Sequence, residues 1–153
     1  MLTEKLTEIT AELNQNEPQG FRDIWNFVDG NNEWQNLGDY PDDAGLEFSK
    51  RKKYLLLLWK DREHILSELG SVQGWTFTGD MILSLRSKLS DPTYNYKYET
   101  HIKNLYSVSE RLLNMFSDCD GFVIKRWKES EVIDTFDTNM DGLKISFTIE
   151  FTY

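Results

Sequence analysis

Cysteine occurs once, at Cys119, and histidine twice, at His64 and His101, in a chain of 153 residues. One thiol forms no internal disulfide and supplies no cysteine-based zinc site, and two histidines so far apart do not replace one. Cys119 lies between Asp118 and Asp120, two carboxylates that disfavour the thiolate, so an activated nucleophile is not expected there. Neither histidine has a companion pattern that marks nucleophilic catalysis. The nine glycines are scattered, and neither G-x-x-x-x-G-K nor G-x-G-x-x-G occurs, so no phosphate-cradling loop is legible. Hydrophobic runs are short as well. The longest, Tyr54 to Trp59, falls far below the ~20 apolar residues of a membrane span, and Met1 to Lys5 lacks the basic and apolar regions of a secretory leader. Glu129 with Glu131, and Asp42 with Asp43, are carboxylate pairs that arise by composition among 26 acids and support neither a glycosidase nor a nuclease. These absences predict one soluble domain over residues 1–153, made in the cytoplasm, without metal, cofactor, membrane contact or enzymatic activity.

Acidic charge is what the chain has in excess. The formal net charge is −9, and residues 1–50 carry eleven acids against Lys5, Arg22 and Lys50. A field of that sign disfavours sequence-specific nucleic-acid binding, which needs cations to displace phosphate counterions. It suits a surface that repels DNA, or one that only keeps the protein dissolved. Lys50, Arg51, Lys52 and Lys53 form a local basic stretch of the type used for nucleic-acid binding or nuclear import, but at the mouth of a strand in an acidic chain it better fits pairing with nearby carboxylates or docking on an acidic partner surface.

Periodicity gives the fold class. Residues Leu143 to Tyr153 alternate without a break: Leu143, Ile145, Phe147, Ile149, Phe151 and Tyr153 on one face, and Lys144, Ser146, Thr148, Glu150 and Thr152 on the other. This predicts a half-buried strand. Trp75, Phe77, Gly79, Met81, Leu83 and Leu85 mark a second long strand, with a bend or bulge at Gly79. Tyr54 to Trp59 reads as a central strand buried on both faces, and Phe122 to Trp127 and Val132 to Phe136 add strand-like material. Leu2, Leu6, Ile9 and Leu13 have helical spacing and predict a short N-terminal helix. Ile102, Leu105, Tyr106, Leu112, Leu113 and Phe116 form one stripe and predict a long helix over about 99–117. Phe21, Ile24, Trp25 and Val28 also have helical spacing, with Gly30 as a cap. Asp61 to Leu69 reads as a helical turn or flap, Asn31 to Gly45 as loop with one short strand, and Ser90-Asp91-Pro92 as a turn. The order lacks βαβ alternation, so the expected class is α+β with a mostly antiparallel sheet.

Asp137-Thr138-Asn139-Met140-Asp141-Gly142 matches the first half of an EF-hand loop, D-x-N-x-D-G, in which Asp137, Asn139 and Asp141 would be the calcium ligands. The second half departs: position twelve, which requires a bidentate Glu, is Thr148, and the flanks read as strands. A turn between antiparallel strands uses the same residue types, because they tolerate positive φ, and is the expected reading. Aromatics make up 14% of the chain; some fill the core, and with Trp on strand, helix and loop alike either one or two of the five Trp are exposed for contacts or all five are buried or half-buried. Trp34 and Tyr40, in the turn-rich stretch, are the expected interface aromatics, whereas Trp59 and Trp75 are expected in the core.

The helix over His101 to Phe116, the stretch Gly121-Phe122-Val123-Ile124-Lys125-Arg126-Trp127, the turn Asn139-Met140-Asp141-Gly142 and the closing strand Leu143 to Phe151 follow one another in an order that resembles the small neck and tail-completion proteins of tailed bacteriophages, including the tail-terminator group. The resemblance is closest over Thr100 to Tyr153 and elsewhere rests on element order. It implies a non-enzymatic virion subunit, in a tail-terminator or head-tail joining role, that forms a homo-oligomeric ring around the DNA channel beside other virion structural proteins. Lys50 to Lys53 would then meet the acidic N-terminal region of a neighbouring subunit. The alternative from the residues alone is an acidic monomeric or dimeric binding module or inhibitor protein.

Overall fold

The computed structural model describes residues 2–15, 25–29, 53–86, 99, 102–118, 121–135 and 140–153. The elements are α1 (Leu2–Gln15), β1 (Trp25–Asp29), β2 (Lys53–Leu66), β3 (Val72–Arg86), α2 (Lys103–Ser117), β4 (Phe122–Thr135) and β5 (Met140–Thr152). The five strands form one sheet in the order β1-β2-β3-β5-β4. β1 runs parallel to β2, and the other three pairings are antiparallel. The fold is α+β with a mainly antiparallel sheet.

One face of the sheet carries the helices. Leu55 and Leu57 of β2, Phe77, Met81, Leu83 and Leu85 of β3, and Leu143, Ile145, Phe147 and Ile149 of β5 pack with Leu2, Leu6, Ile9 and Leu13 of α1 and Leu105, Val108, Leu112 and Phe116 of α2 in a single apolar core. The i, i+4, i+7, i+11 spacing of α1 explains its place: the stripe Leu2, Leu6, Ile9, Leu13 is buried, and Glu4, Glu8, Glu12 stay exposed. In β5 the period-two alternation becomes burial alternation, with Leu143, Ile145, Phe147 and Ile149 buried and Lys144, Ser146, Thr148 and Glu150 half-buried.

The expected long helix over 99–117 is corrected. α2 covers Lys103–Ser117, 15 residues, against 14 in α1, so the two helices are nearly equal. Glu99 and Ile102 lie in wider, π-type turns, where the side-chain spacing differs from that of the α-helix that follows. Its buried stripe is Leu105, Val108, Ser109, Leu112 and Phe116, while Tyr106 and Leu113 lie at its borders, half-buried.

Other expectations change for identifiable reasons. Trp25–Asp29, read as helical, is a strand, because it finds parallel partners in Lys53–Leu57. Residues 61–66, read as a helical turn or flap, continue β2, paired from Asp61 with Thr78 to Leu66 with Val72. Their apolar/polar pattern is silent because both faces there are charged. The bulge expected at Gly79 of β3 falls on β2, between Leu57 and Trp59. It inverts the parity of the strand: Leu55 and Leu57 face the helices, but Trp59, Asp61 and Glu63 face away. Trp59 is therefore 41% exposed rather than core. Gly79 sits where this bulge crowds β3; a Cβ there would lie 2.2 Å from the Trp59 carbonyl oxygen and 3.0 Å from the Phe147 ring.

β4 runs unbroken over the two stretches expected to be separate and has its own bulge, between Ile124 and Arg126. That bulge turns Trp127 toward α2, where its indole N–H donates to the buried Ser109 hydroxyl at 2.9 Å. Gly121, at φ +83°, makes the left-handed turn into β4, and its carbonyl accepts a hydrogen bond from the Thr152 N–H. Asp141 and Gly142 belong to β5, opposite Leu85 and Ser84, rather than to a turn. Met140 begins β5 as well, opposite Arg86, whereas Asp137 to Asn139, the Asn31 to Gly45 stretch and Ser90-Asp91-Pro92 lie outside the described residues.

Candidate functional site

The cross-strand register divides the face opposite the helices into two zones. Near the β1 end, Tyr54, Leu56 and Ile82 are buried in a second small apolar cluster, flanked by Leu58 and Val132. Toward the β2–β3 turn the same face becomes polar. Its rows run Trp59, Asp80, Ser146, Lys128; then Asp61, Thr78, Thr148, Arg126; then Glu63, Thr76, Glu150, Val123. The middle strands thus contribute hydroxyls and two acids, Asp80 and Glu150, all half-buried.

β2 beyond its pairing with β1, and the outer strand β4, contribute charge of opposite sign to this face. Asp61 and Glu63 on β2 are exposed, as are Arg126 and Lys128 on β4. Among the described residues none of these four makes an ion pair, whereas Lys125, at the β4 bulge, reaches Glu150 at 3.6 Å. The Trp59 indole N–H donates to the Asp80 carboxylate at 2.9 Å and holds the ring against this face. On the helix side the signs reverse: β2 offers Lys60, Arg62 and His64, and β4 offers Glu129 and Glu131. Lys60 hydrogen-bonds to the Thr3 hydroxyl of α1, and the Tyr106 hydroxyl of α2 donates to Glu131 at 3.1 Å.

At the far end of the helix-covered face, Trp75, expected in the core and half-buried at its border, stacks on Phe151 with ring centroids 6.0 Å apart and meets Tyr153 edge-on at 5.2 Å. The Arg62 guanidinium lies 5.8 Å from the Trp75 ring, a cation–π distance. The adjacent turn exposes Leu66, Leu69 and Val72, next to a shallow depression of about 490 Å³ lined by Leu66, Ser67, Glu68, Leu69 and Gln73. No family of known proteins matches this chain, and no curated protein does either.

Of the residues singled out in the sequence, Trp34, Tyr40, Lys50, Arg51, Lys52, Asp137 and Asn139 lie outside the described residues. Lys53, expected at an interface, is fully buried at the start of β2, and a head-to-tail contact cannot use it. Asp141, the remaining candidate calcium ligand, is fully buried too, and its backbone carbonyl accepts the Ser84 hydroxyl at 3.1 Å. Lys53 and Asp141 flank Leu85 in one cross-strand row, so the sheet buries two opposite charges on its helix-covered side. Among the described residues, no group of three or more His, Cys, Asp or Glu could hold a metal ion, and no helix is long and apolar enough to cross a membrane. The charged stretches of β2 and β4 were missed in the sequence. Their signal is present in the alternation Lys60, Asp61, Arg62, Glu63, His64, where charge sign rather than hydropathy has period two.

Proposed function

We propose that this chain is a non-enzymatic structural subunit that assembles into a ring, with a neck or tail-completion role in a tailed bacteriophage as the setting the sequence resemblance implies. In that setting it is a virion protein that contacts copies of itself and adjacent virion proteins. The observation that carries the reading is the division of the sheet: a helix-packed face, an opposite face whose middle carries Thr76, Thr78, Ser146 and Thr148 with Asp80 and Glu150, and flanking stretches of β2 and β4 with opposite charge. Apart from Lys144, the middle of this face is hydroxyls and carboxylates, and its exposed cations, Arg126 and Lys128, are confined to β4, so the centre offers a polyanion little to bind, which is the property a DNA channel needs if the duplex is to slide. On each face the two edges carry charge of opposite sign, which favours head-to-tail contact, the type that closes rings.

The test is the native mass of the purified chain across concentration, by light scattering after gel filtration, with negative-stain images of the large species. A closed ring of uniform diameter is the expected result. A strict monomer with a discrete partner would replace this reading with the acidic binding module.

A further inference from the structure

We infer that two copies of this chain join edge to edge, with β4 of one copy adding antiparallel to β2 of the next between Leu58 and Leu66. The inference deepens the ring reading and depends on it only for closure of the assembly. Three observations combine.

The first is available edge. β1 pairs with β2 only as far as Leu57, so among the described residues no strand lies beside Leu58 to Leu66, a length of roughly 30 Å at ~3.3 Å per residue. β4 is the other outer strand of the sheet.

The second is direction. β2, β3, β5 and β4 alternate along the sheet, so β4 of one copy and β2 of a copy placed beside it in the same orientation run antiparallel, and the two sheets continue as one.

The third is register. When Asp61 stands opposite Lys128, Glu63 stands opposite Arg126 on the same face. On the helix side the same register sets Lys60 opposite Glu129 and Arg62 opposite Trp127. Each of these four pairs thus joins a charge to its opposite or to an aromatic face. The parity is preserved because neither bulge lies within the segment these pairs span: Trp59 to Glu63 begins beyond the β2 bulge, and Arg126 to Ser130 ends short of the β4 bulge. Past the β4 bulge, Val123, 48% exposed, comes opposite Ile65. The neighbour's β4 leaves the ladder where β1 begins, and there its own pairing with β5 is irregular, between Val132 and Thr135.

Charges and a bulge on an outer strand ordinarily guard it against pairing. Here the two guards are complementary, so they exclude β2 on β2 and β4 on β4 while admitting β2 on β4, which sets the partner and the direction at once.

The test is charge reversal in the full-length chain. Asp61→Lys with Glu63→Lys in one variant, and Arg126→Glu with Lys128→Glu in another, should each raise the concentration for half-assembly at least roughly tenfold, since like charges then face each other. Mixing the two variants, or combining all four substitutions in one chain, should restore assembly. All four sites are exposed, so each variant should fold, which circular dichroism checks. Wild-type association that weakens with added salt agrees with the contact. Charge-dependent open filaments would uphold the edge pairing and overturn the closed ring. Rings that persist unchanged in both reversed variants would overturn the edge pairing and leave the ring reading standing, and a wild-type chain that stays monomeric at every concentration overturns both.

Discussion

Replacing Phe147 by alanine tests the packing of the sheet on its helices most sharply. Phe147 is 1% exposed in the middle of β5, on the helix-covered face, between Gly79 of β3 and Trp127 of β4. Loss of a buried Phe side chain costs about 3–5 kcal/mol, and the spread within that range depends on how far the surroundings collapse. Collapse is poor here. The neighbour on β3 is a glycine with no side chain to move into the space, and its backbone is held close to the Trp59 carbonyl by the β2 bulge. On the other side, Trp127 is tied to Ser109 of α2 by its indole N–H. The upper part of the range is expected, against a total stability of about 5–15 kcal/mol for a domain. At roughly 2–4 °C per kcal/mol for a chain of this size, Tm should fall by about 8–20 °C. Urea unfolding followed by tryptophan fluorescence measures the loss, with Thr148→Ala on the polar face as the control, expected within about 0.5 kcal/mol of wild type. A Phe147→Ala variant that loses less than about 1 kcal/mol would refute both the burial of this face and the role of Gly79 in preventing collapse.

Further outcomes follow from single contacts. Gly79→Ala should cost about 1–3 kcal/mol by urea unfolding, because the new methyl group collides with the Trp59 carbonyl and β2 must shift. Trp127→Phe should cost about 1–3 kcal/mol beyond any change in packing, since it leaves the buried Ser109 hydroxyl without its indole donor; Trp127→Phe with Ser109→Ala should recover part of the loss in a double-mutant cycle. Calcium should leave Tm unchanged, because Asp141 is buried inside β5; a site filled at about 100 times its Kd would instead add about 2.7 kcal/mol.

The parts of the fold that were legible in the sequence are those where one face is dry and the other wet. β5 and α1 follow hydropathy because their stripes meet the core directly. The rest was hidden by local geometry. The β2 bulge moves Trp59 from the core face to the open face, and no alternation read through Tyr54 to Trp59 anticipates an inserted residue. Beyond it, Asp61 to Leu66 has little apolar contrast between faces, so a strand there was read as a helical turn or flap. Trp25 to Asp29 is too short for periodicity to separate helix from strand, and its pairing with Lys53–Leu57 decides the matter from far along the chain. The candidate interface was invisible for the same reason. Asp61 and Glu63 acquire a meaning relative to Arg126 and Lys128 only when the strand order puts β2 and β4 on opposite sides of one sheet.

The measurement that bears most directly on edge-to-edge assembly is a cysteine cross-link in a Cys119→Ser background with Asp61→Cys and Lys128→Cys in the same chain. Within one chain these positions are separated by three strand spacings, roughly 14 Å, too far for a disulfide, whose Cα atoms lie within about 7 Å. Between copies joined in the proposed register they are cross-strand neighbours about 5 Å apart. Mild oxidation should therefore give a ladder of covalent multimers on a denaturing gel, ending at the subunit number of the ring, and the pair Asp61→Cys with Val132→Cys should give none. Oxidation that leaves the chain monomeric while light scattering shows the large species intact would contradict the account.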